Sequence, residues 1–223
     1  MRVGRAFAFV DLSGFTSFTA HHGDDEAGNV LTEFRRVIRE VSSRRGVRVA
    51  KWQGDGAMFV SVEPAPLTEA VLEIERRIDD NNSPLRLRAG ITWGHVILFE
   101  GDDYIGSAVN LAARLCDGAA PHEILAAVEL EPFVPKWAEA EPAGPLVIRG
   151  FVEPVPVLRL SRLECEEGID GVKDPICGLV IPKDAVVASR DDLCFCSESC
   201  AIAWDDANRM VTPASTHTSL TAP

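Results

Sequence analysis

The stretch Arg5-Ala-Phe-Ala-Phe-Val-Asp-Leu-Ser-Gly-Phe-Thr16 is a short apolar run that closes on a carboxylate and a Ser-Gly turn. A run of this length, bounded by turn residues, reads as a buried strand that delivers Asp11 at its C-terminal end. Outward from it, Val30, Leu31, Phe34, Val37, Ile38 and Val41 recur at spacings of three and four, which predicts an amphipathic helix over 24–43 stopped by Gly46. Residues 47–52 and 57–62 are two short strand-like runs around Gln53-Gly-Asp-Gly56, a hairpin with Asp55 at its tip. Leu67, Val71, Ile74 and Ile78 mark a second helix that Asn81-Asn82-Ser83-Pro84 ends. Residues 85–93 and 95–99 read as a strand pair hinged at Gly94. An acidic loop over 100–106 leads to a helix over 107–115. Short strands follow at 124–127, 146–148 and 155–160, the last two around Arg149-Gly150. The order β-α-β-β-α-β with extra strands predicts an α+β fold of ferredoxin-like pattern, its helices on one face of the sheet.

With 223 residues, 46% hydrophobic and 25% charged, the chain has ordinary globular usage and length for a main domain plus an appendage. A net charge of −12 argues against a nucleic-acid partner, because phosphate-backbone binding needs an excess of Lys and Arg. No apolar run approaches the ~18 residues of a membrane span. A soluble cytoplasmic protein is the expectation. Five of the six cysteines (Cys165, Cys177, Cys194, Cys196, Cys200) lie in the last quarter. Clustered cysteines in a reducing compartment bind metal or do redox work more often than they form structural disulfides. The expected organisation is a main domain over 4–163, an acidic linker over 164–171, a cysteine-rich module over 172–210 and a disordered tail over 211–223.

Asp11 and Asp55 are the first candidates for chemistry. If the strand ending at Asp11 neighbours the hairpin, both carboxylates converge, and paired carboxylates suit Mg²⁺ bridging nucleotide phosphates. Backbone N–H groups of Leu12, Ser13, Gly14, Phe15 and Thr16 then offer a cradle for a triphosphate. The alternative is structural, with Asp11 as a helix cap and Asp55 as a turn former. Phe9, Phe34, Phe59 and Trp52 read as packing residues, and Arg35, Arg36, Arg39, Arg44, Arg45 and Arg48 as a solvated helix end. His21-His22 reads as loop.

Phe9-Val-Asp-Leu-Ser-Gly-Phe-Thr16, Lys51-Trp-Gln-Gly-Asp55 and Tyr104-Ile-Gly-Ser-Ala-Val-Asn-Leu-Ala-Ala-Arg114 resemble, in order and separation, the three signature segments of class III adenylate/guanylate cyclases. The resemblance covers residues 4–160. It implies that Asp11 and Asp55 hold two Mg²⁺ or Mn²⁺ ions, and that Lys51 and Asp103 select the base. Adenine offers an acceptor at N1 and a donor at N6, which a Lys donor and an Asp acceptor complement, so the pair favours ATP over GTP. It further implies that Asn110 orients the ribose and Arg114 neutralises charge developing on the α-phosphate. Arg149 stands where many relatives carry a phosphate-contacting Lys. A chain holding both halves of the site is expected to act as a head-to-tail homodimer. No Gly-Gly-Asp/Glu-Glu-Phe segment of a diguanylate cyclase is present.

Asp174-Pro-Ile-Cys-Gly-Leu179 with Cys194-Phe-Cys-Ser-Glu-Ser-Cys200 resembles the YHS domain, related to metal-binding TRASH-type modules. The resemblance implies a site for Zn²⁺ or another soft metal at Cys177, Cys196 and Cys200, with Cys194, a carboxylate or water as the fourth ligand. The Tyr and His of the motif are missing, and Asp191-Asp192-Leu193-Cys194 stands there instead. Reduced cysteines without metal are the alternative. For the whole chain two readings follow: an adenylate cyclase, or a non-catalytic nucleotide- or metal-responsive protein on a cyclase scaffold.

Overall fold

The structure, a computed structural model, describes residues 1–101 and 103–211. The tail expected over 211–223 lies, beyond Val211, outside the described residues. The chain divides into two compact units, with the boundary between Cys165 and Glu166.

In the first unit the strand at Asp11 is an inner strand of the sheet. Strand β1 (Arg2–Leu12) pairs antiparallel with both β3 (Gly56–Ser61) and β4 (Leu87–Phe99), while β2 (Arg48–Gln53) pairs with β3. Beyond β4 lie β6 (Glu123–Ala127), parallel to it, then β8 (Val155–Arg162) and β7 (Ala138–Leu146), while β5 (Asp103–Ile105) pairs with the end of β4. The strand order is β2-β3-β1-β4-β6-β8-β7. Among the described residues four α-helices accompany it: α1 (Phe15–His22), α2 (Asp24–Arg45), α3 (Pro64–Asp80) and α4 (Ser107–Gly118).

Because side chains alternate along a strand, β1 buries two different sets of residues. Phe7 packs with Met58, Val60 and Val96 against Ala108 and Ala112 of α4. Ala6, Ala8 and Val10 point to the other face, where α3 runs across β1, β3 and β4 and α2 packs beside it, against α3 and β2. Helices thus cover both faces, and the expectation of helices on one face does not hold for α4. The reason is local to Gly90, opposite Phe9 in the sheet. A Cβ there would stand 2.3 Å from both the Ala112 carbonyl oxygen and the Cys116 nitrogen. Only glycine lets the α4 backbone lie on the strand.

Four further readings are corrected. β4 runs unbroken through Gly94, whose missing side chain makes room for Ala108 instead of forming a hinge. His21 and His22 are the last turn of helix α1, their Nδ1 atoms 2.7 and 3.1 Å from the Ser17 and Phe18 carbonyl oxygens. β7 starts at Ala138, well before residue 146. The arginine-rich helix end is not solvated throughout: Arg45 is buried, with its guanidinium on Glu73 at 2.9 Å and on Glu69, and Arg44 joins Glu73. Arg35 and Arg39 stack over the Trp52 ring at 5.1 and 5.4 Å.

The second unit contains two short hairpins, β9 (Gly171–Lys173) with β10 (Val180–Pro182) and β11 (Ala188–Arg190) with β12 (Leu193–Phe195), followed by helix α5 (Glu198–Val211). Leu179, Ile181, Ala185, Phe195 and Ala201 form its small apolar core. No helix among the described residues is long and apolar enough to cross a membrane.

Candidate functional sites

The register of β1 decides what surrounds Asp11: Gly56 faces it from β3 and Arg88 from β4. The Arg88 guanidinium donates to Asp11 Oδ2 from Nε at 2.9 Å and from Nη2 at 2.6 Å, while Nη1 donates to the Asp117 carbonyl at 3.2 Å. Burial pushes the Asp11 carboxyl above the usual range, the Arg88 hydrogen bonds pull it back, and the charge of neighbouring Asp55 pushes it up again. The hairpin that carries Asp55 is tied down twice. Leu12 N–H donates to the Asp55 carbonyl at 3.3 Å, and Arg35 Nη2 donates to the Gly54 carbonyl at 3.0 Å.

Asp11, Gln53, Gly56, Arg88, Ala113, Cys116 and Asp117 line a cavity of ≈ 500 Å³. A Cβ at Gly56 would meet Asp11 Oδ1 at 3.2 Å and the Val10 carbonyl at 2.7 Å, so glycine keeps this carboxylate oxygen clear. Asp11 offers this cavity a hard oxygen donor of the kind that suits Mg²⁺ or Mn²⁺, while Asp55, on the adjoining hairpin, is not among its lining residues. Cys116, its thiol pushed up to about 12 chiefly by burial, is a packing residue on this wall.

The expected phosphate cradle is shorter than the sequence suggests. Leu12 N–H is used by Asp55 and Ser13 N–H by the Arg86 carbonyl at 2.8 Å, and the Leu12 side chain is buried. Gly14 takes a positive φ of 82° at the start of α1, and Phe15 and Thr16 follow in the first turn, where a helix has no internal acceptor for its N–H groups.

Lys51 and Asp103 meet directly, Nζ to Oδ1 at 2.7 Å, although 52 residues apart. A register shift between Val49 and Lys51 in β2 marks a bulge, a device that re-aims a side chain. From the other side, Tyr104 anchors β5: its ring lies edge-on to Phe7 at 5.2 Å and its hydroxyl accepts from Arg48 at 3.1 Å. The ion pair holds the exposed Asp103 carboxyl below its usual range.

Asn110 and Arg114, one helical turn apart on α4, line a second cavity of ≈ 660 Å³ together with Arg149, Gly150 and Phe151 from the β7–β8 connection. Arg114 also reaches Asp117 at 3.1 Å. Asp11 and Asn110 therefore line different cavities, whose walls share Ala113. Arg88 was missed by sequence reasoning. The run 85–93 carries two cations, Arg86 and Arg88, and only the register of β4 on β1 shows that Arg88 is the one that faces Asp11.

In the second unit Cys177, Cys196 and Cys200 come together. Cys177 and Cys196 Sγ are 3.6 Å apart, and Cys196 and Cys200 Sγ 3.7 Å. Asp174, fully buried, completes the group, and all four ligand atoms lie within 4.8 Å of one another. Cys194 is not among them: it pairs with Ser189 in the β11–β12 hairpin. Of the alternatives for a fourth ligand, the structure brings up the carboxylate.

The first unit has the fold of adenylyl and guanylyl cyclase catalytic domains. The adenylyl cyclase CyaB of P. aeruginosa matches with a TM-score of 0.65 at 22% identity, over 75% of this chain and 98% of that one. The guanylate cyclase domain of RhGC from Catenaria anguillulae, solved in complex with GTP, matches with a TM-score of 0.64 at 15% identity, over 74% of this chain and all of that one. Among curated proteins, an uncharacterized protein of Mycobacterium tuberculosis is 39% identical over 152 residues, 68% of this chain and 40% of the relative. A pH-sensitive adenylate cyclase of the same species is 32% identical over 169 residues, 74% of this chain and 42% of the relative. The chain thus spans about two fifths of the length of these relatives. No protein-family model matches it.

Proposed function

We propose that the first unit is the catalytic domain of an adenylate cyclase, converting ATP to 3′,5′-cyclic AMP and pyrophosphate at a site shared between two copies of the chain. The observation that carries this is the separation of the two cavities. One holds Asp11 and Arg88, the other Asn110, Arg114 and Arg149, and each is half of a phosphoryl-transfer site. A head-to-tail homodimer sets the carboxylate half of one copy against the Asn/Arg half of its partner, giving two equivalent sites. Exposed apolar side chains at Ile97, Phe99 and Ile105, with Val147 and Val152, supply surface that such a partner would cover.

In this reading Lys51 donates to adenine N1 and Asp103 accepts from the N6 amine, and guanine leaves both mispaired. Asn110 holds the ribose so that its 3′-oxygen faces the α-phosphorus. The 3′-oxygen forms the new bond to phosphorus as the bond to the bridging oxygen of pyrophosphate breaks, and the hydroxyl proton passes to solvent. Arg114 meets the charge that develops on the α-phosphate. Arg149, Arg88 and the N–H groups of Gly14, Phe15 and Thr16 receive the remaining phosphate oxygens. Two Mg²⁺ or Mn²⁺ ions held by Asp11 and Asp55 would polarise the 3′-hydroxyl and neutralise the leaving pyrophosphate. The reaction belongs in the cytoplasm, where ATP is abundant and the cysteines stay reduced. The second unit is assigned a modulating part; a chain ending at Leu163 with unchanged rate and metal response would remove it.

The direct test is incubation of the purified chain with Mn²⁺ and either ATP or GTP, followed by product chromatography. Cyclic AMP from ATP, with far less product from GTP, is expected, and untouched ATP overturns the assignment. Mixing Asp11→Ala chains with Asn110→Ala chains tests the sharing, since heterodimers regain one intact site. Failure to regain activity would place both halves within one copy.

A further inference from the structure

We infer, on the reading of Asp11 and Asp55 as cation ligands, that Arg35 of α2 is a positioning residue for that site: its grip on the Gly54 carbonyl aims the Asp55 carboxylate.

The two carboxylates are held in different ways. Asp11 is fixed through its own Oδ2 by the Arg88 guanidinium. Among the described residues nothing hydrogen-bonds the Asp55 carboxylate, so its direction depends on its backbone. That backbone lies in a two-residue turn, because Gln53 pairs with Gly56 and leaves Gly54 and Asp55 as the central pair. Gly54 takes a φ of 60° and Asp55 a negative one, the arrangement of a hairpin turn with glycine in first place.

Peptide units are planar, so the two units that flank a Cα set its φ and ψ and with them the direction of its Cβ. The Gly54 carbonyl belongs to the unit before Asp55, and the Asp55 carbonyl to the unit after it. Both are bound from outside the hairpin, the first by Arg35 Nη2 at 3.0 Å and the second by Leu12 N–H at 3.3 Å. Leu12 directly follows Asp11, so its bond ties Asp55 to the strand that carries the other carboxylate. Arg35 ties the remaining unit, and it is the clamp made by a side chain.

The place of the hairpin in the sheet gives this clamp its weight. β2 is an outermost strand, paired only with β3, and α2 packs against it. The charge of Asp55 is felt at Asp11, so the two carboxylates repel when no cation lies between them. With one peptide unit free, the turn relieves that repulsion by rotating Asp55 away, and the ligand oxygens scatter. Arg35 is pre-organised against this. Its guanidinium lies over the Trp52 ring, 5.1 Å from the centroid, and Trp52 stands in β2 two residues before Gly54. The stack holds the donating plane in place, so little side-chain freedom is lost in making the bond. Arg39, one turn further along α2, covers the same ring at 5.4 Å and makes no bond to the turn.

The test uses the full chain, with Mn²⁺ binding followed by electron paramagnetic resonance, hydrogen exchange, and cyclic AMP formation against Mn²⁺ concentration. The Mn²⁺ binding that Asp55→Ala removes defines the site. Arg35→Ala should weaken that binding roughly 10- to 100-fold, as loss of a group that orients a ligand does. The sign is diagnostic: removing a positive charge should by Coulomb attraction alone strengthen the binding of a cation. Exchange should quicken at 53–57 and stay unchanged in the rest of the first unit. In turnover, half-saturating Mn²⁺ should rise by the same factor while kcat at saturating Mn²⁺ stays within about threefold. Arg35→Lys, which keeps one donor within reach of the carbonyl, should restore most of the affinity, and Arg39→Ala should not weaken it. Undiminished Mn²⁺ binding in Arg35→Ala overturns the proposal. So does a loss that Arg39→Ala shares, which traces the effect to the Trp52 stack, and so does exchange that quickens throughout the first unit, which traces it to stability. Mn²⁺ binding that Asp55→Ala leaves intact overturns the cation reading and this proposal with it. If Arg35→Ala weakens Mn²⁺ as expected but the wild-type chain leaves ATP untouched, the cyclase assignment alone falls.

Discussion

Asp11 and Arg88 face each other across β1 and β4, joined by hydrogen bonds of 2.6 and 2.9 Å, so the carboxylate that would hold cations is already held by a guanidinium. Burial nevertheless raises its pKa above the ordinary aspartate value of 3.8. Protonation competes with cation binding, so activity should fall on the acid side at a pH above that of an ordinary aspartate. Raising Mn²⁺ should push that limb to lower pH. Arg88→Ala removes the group that lowers the pKa and should move the limb up, besides reducing turnover. The same sign governs folding: a carboxyl with a raised folded-state pKa favours the native chain below about 3.8, and that contribution is lost as pH rises through the folded value. Rate profiles against pH at two Mn²⁺ concentrations check the prediction.

The Lys51–Asp103 pair predicts a selectivity defect with a distinctive pattern. Lys51→Ala or Asp103→Ala alone removes one hydrogen bond to adenine and leaves the other charge facing the base. Each should lower kcat/KM for ATP by roughly 10- to 100-fold and narrow the ATP/GTP ratio. The double variant should lose less than the sum, because the two side chains already interact at 2.7 Å. Additive losses in the cycle would mean that they act on separate parts of the substrate.

What the sequence made legible was local. The apolar run into Asp11, the Gly-Asp-Gly turn and the helical spacing of Asn110 and Arg114 each announce themselves within a dozen residues. Arg88 and Asp174 do not. Arg88 gains meaning only through the β1–β4 register, 77 residues from its partner, and Asp174 only when three elements fold around the thiols. The supposed hinge at Gly94 failed for a related reason: glycine in a strand marks either a bend or a close neighbour, and only the position of α4 decides between them. Arg45 was read as solvated because its partners, Glu69 and Glu73, lie on another helix.

Gly90 is the position where packing and catalysis should fail together. Gly90→Ala pushes a methyl group into the α4 backbone at Ala112 and Cys116, and α4 carries Asn110 and Arg114. Overpacking of this kind costs about 1–3 kcal/mol of stability. A shift of ~1 Å in the helix should lower kcat by roughly 100-fold. Gly118→Ala, at the end of the same helix with nothing within 4 Å of the added Cβ, should behave as wild type. A Gly90→Ala chain as stable and as active as Gly118→Ala would show that α4 does not approach β4 closely enough to exclude a methyl group.

The buried pair of Arg45 and Glu73 sets the expected stability of the α2–α3 layer. Neither side chain is exposed, and their 2.9 Å contact is joined by Glu69 and Arg44. Removing one partner strands a charge away from water, so Arg45→Ala should cost about 3–5 kcal/mol, read as a fall in the urea midpoint of the first unit. Arg36→Ala, which breaks only the exposed contacts to Glu33 and Glu40 on α2, should lower that midpoint far less. Salt separates the two further: 1 M NaCl should erase the small effect, because exposed charges are screened within a few ångströms, and leave the large one nearly intact. If instead Arg45→Ala is as mild and as salt-sensitive as Arg36→Ala, water reaches the Glu73 carboxylate and the α2–α3 layer is held by its apolar face alone.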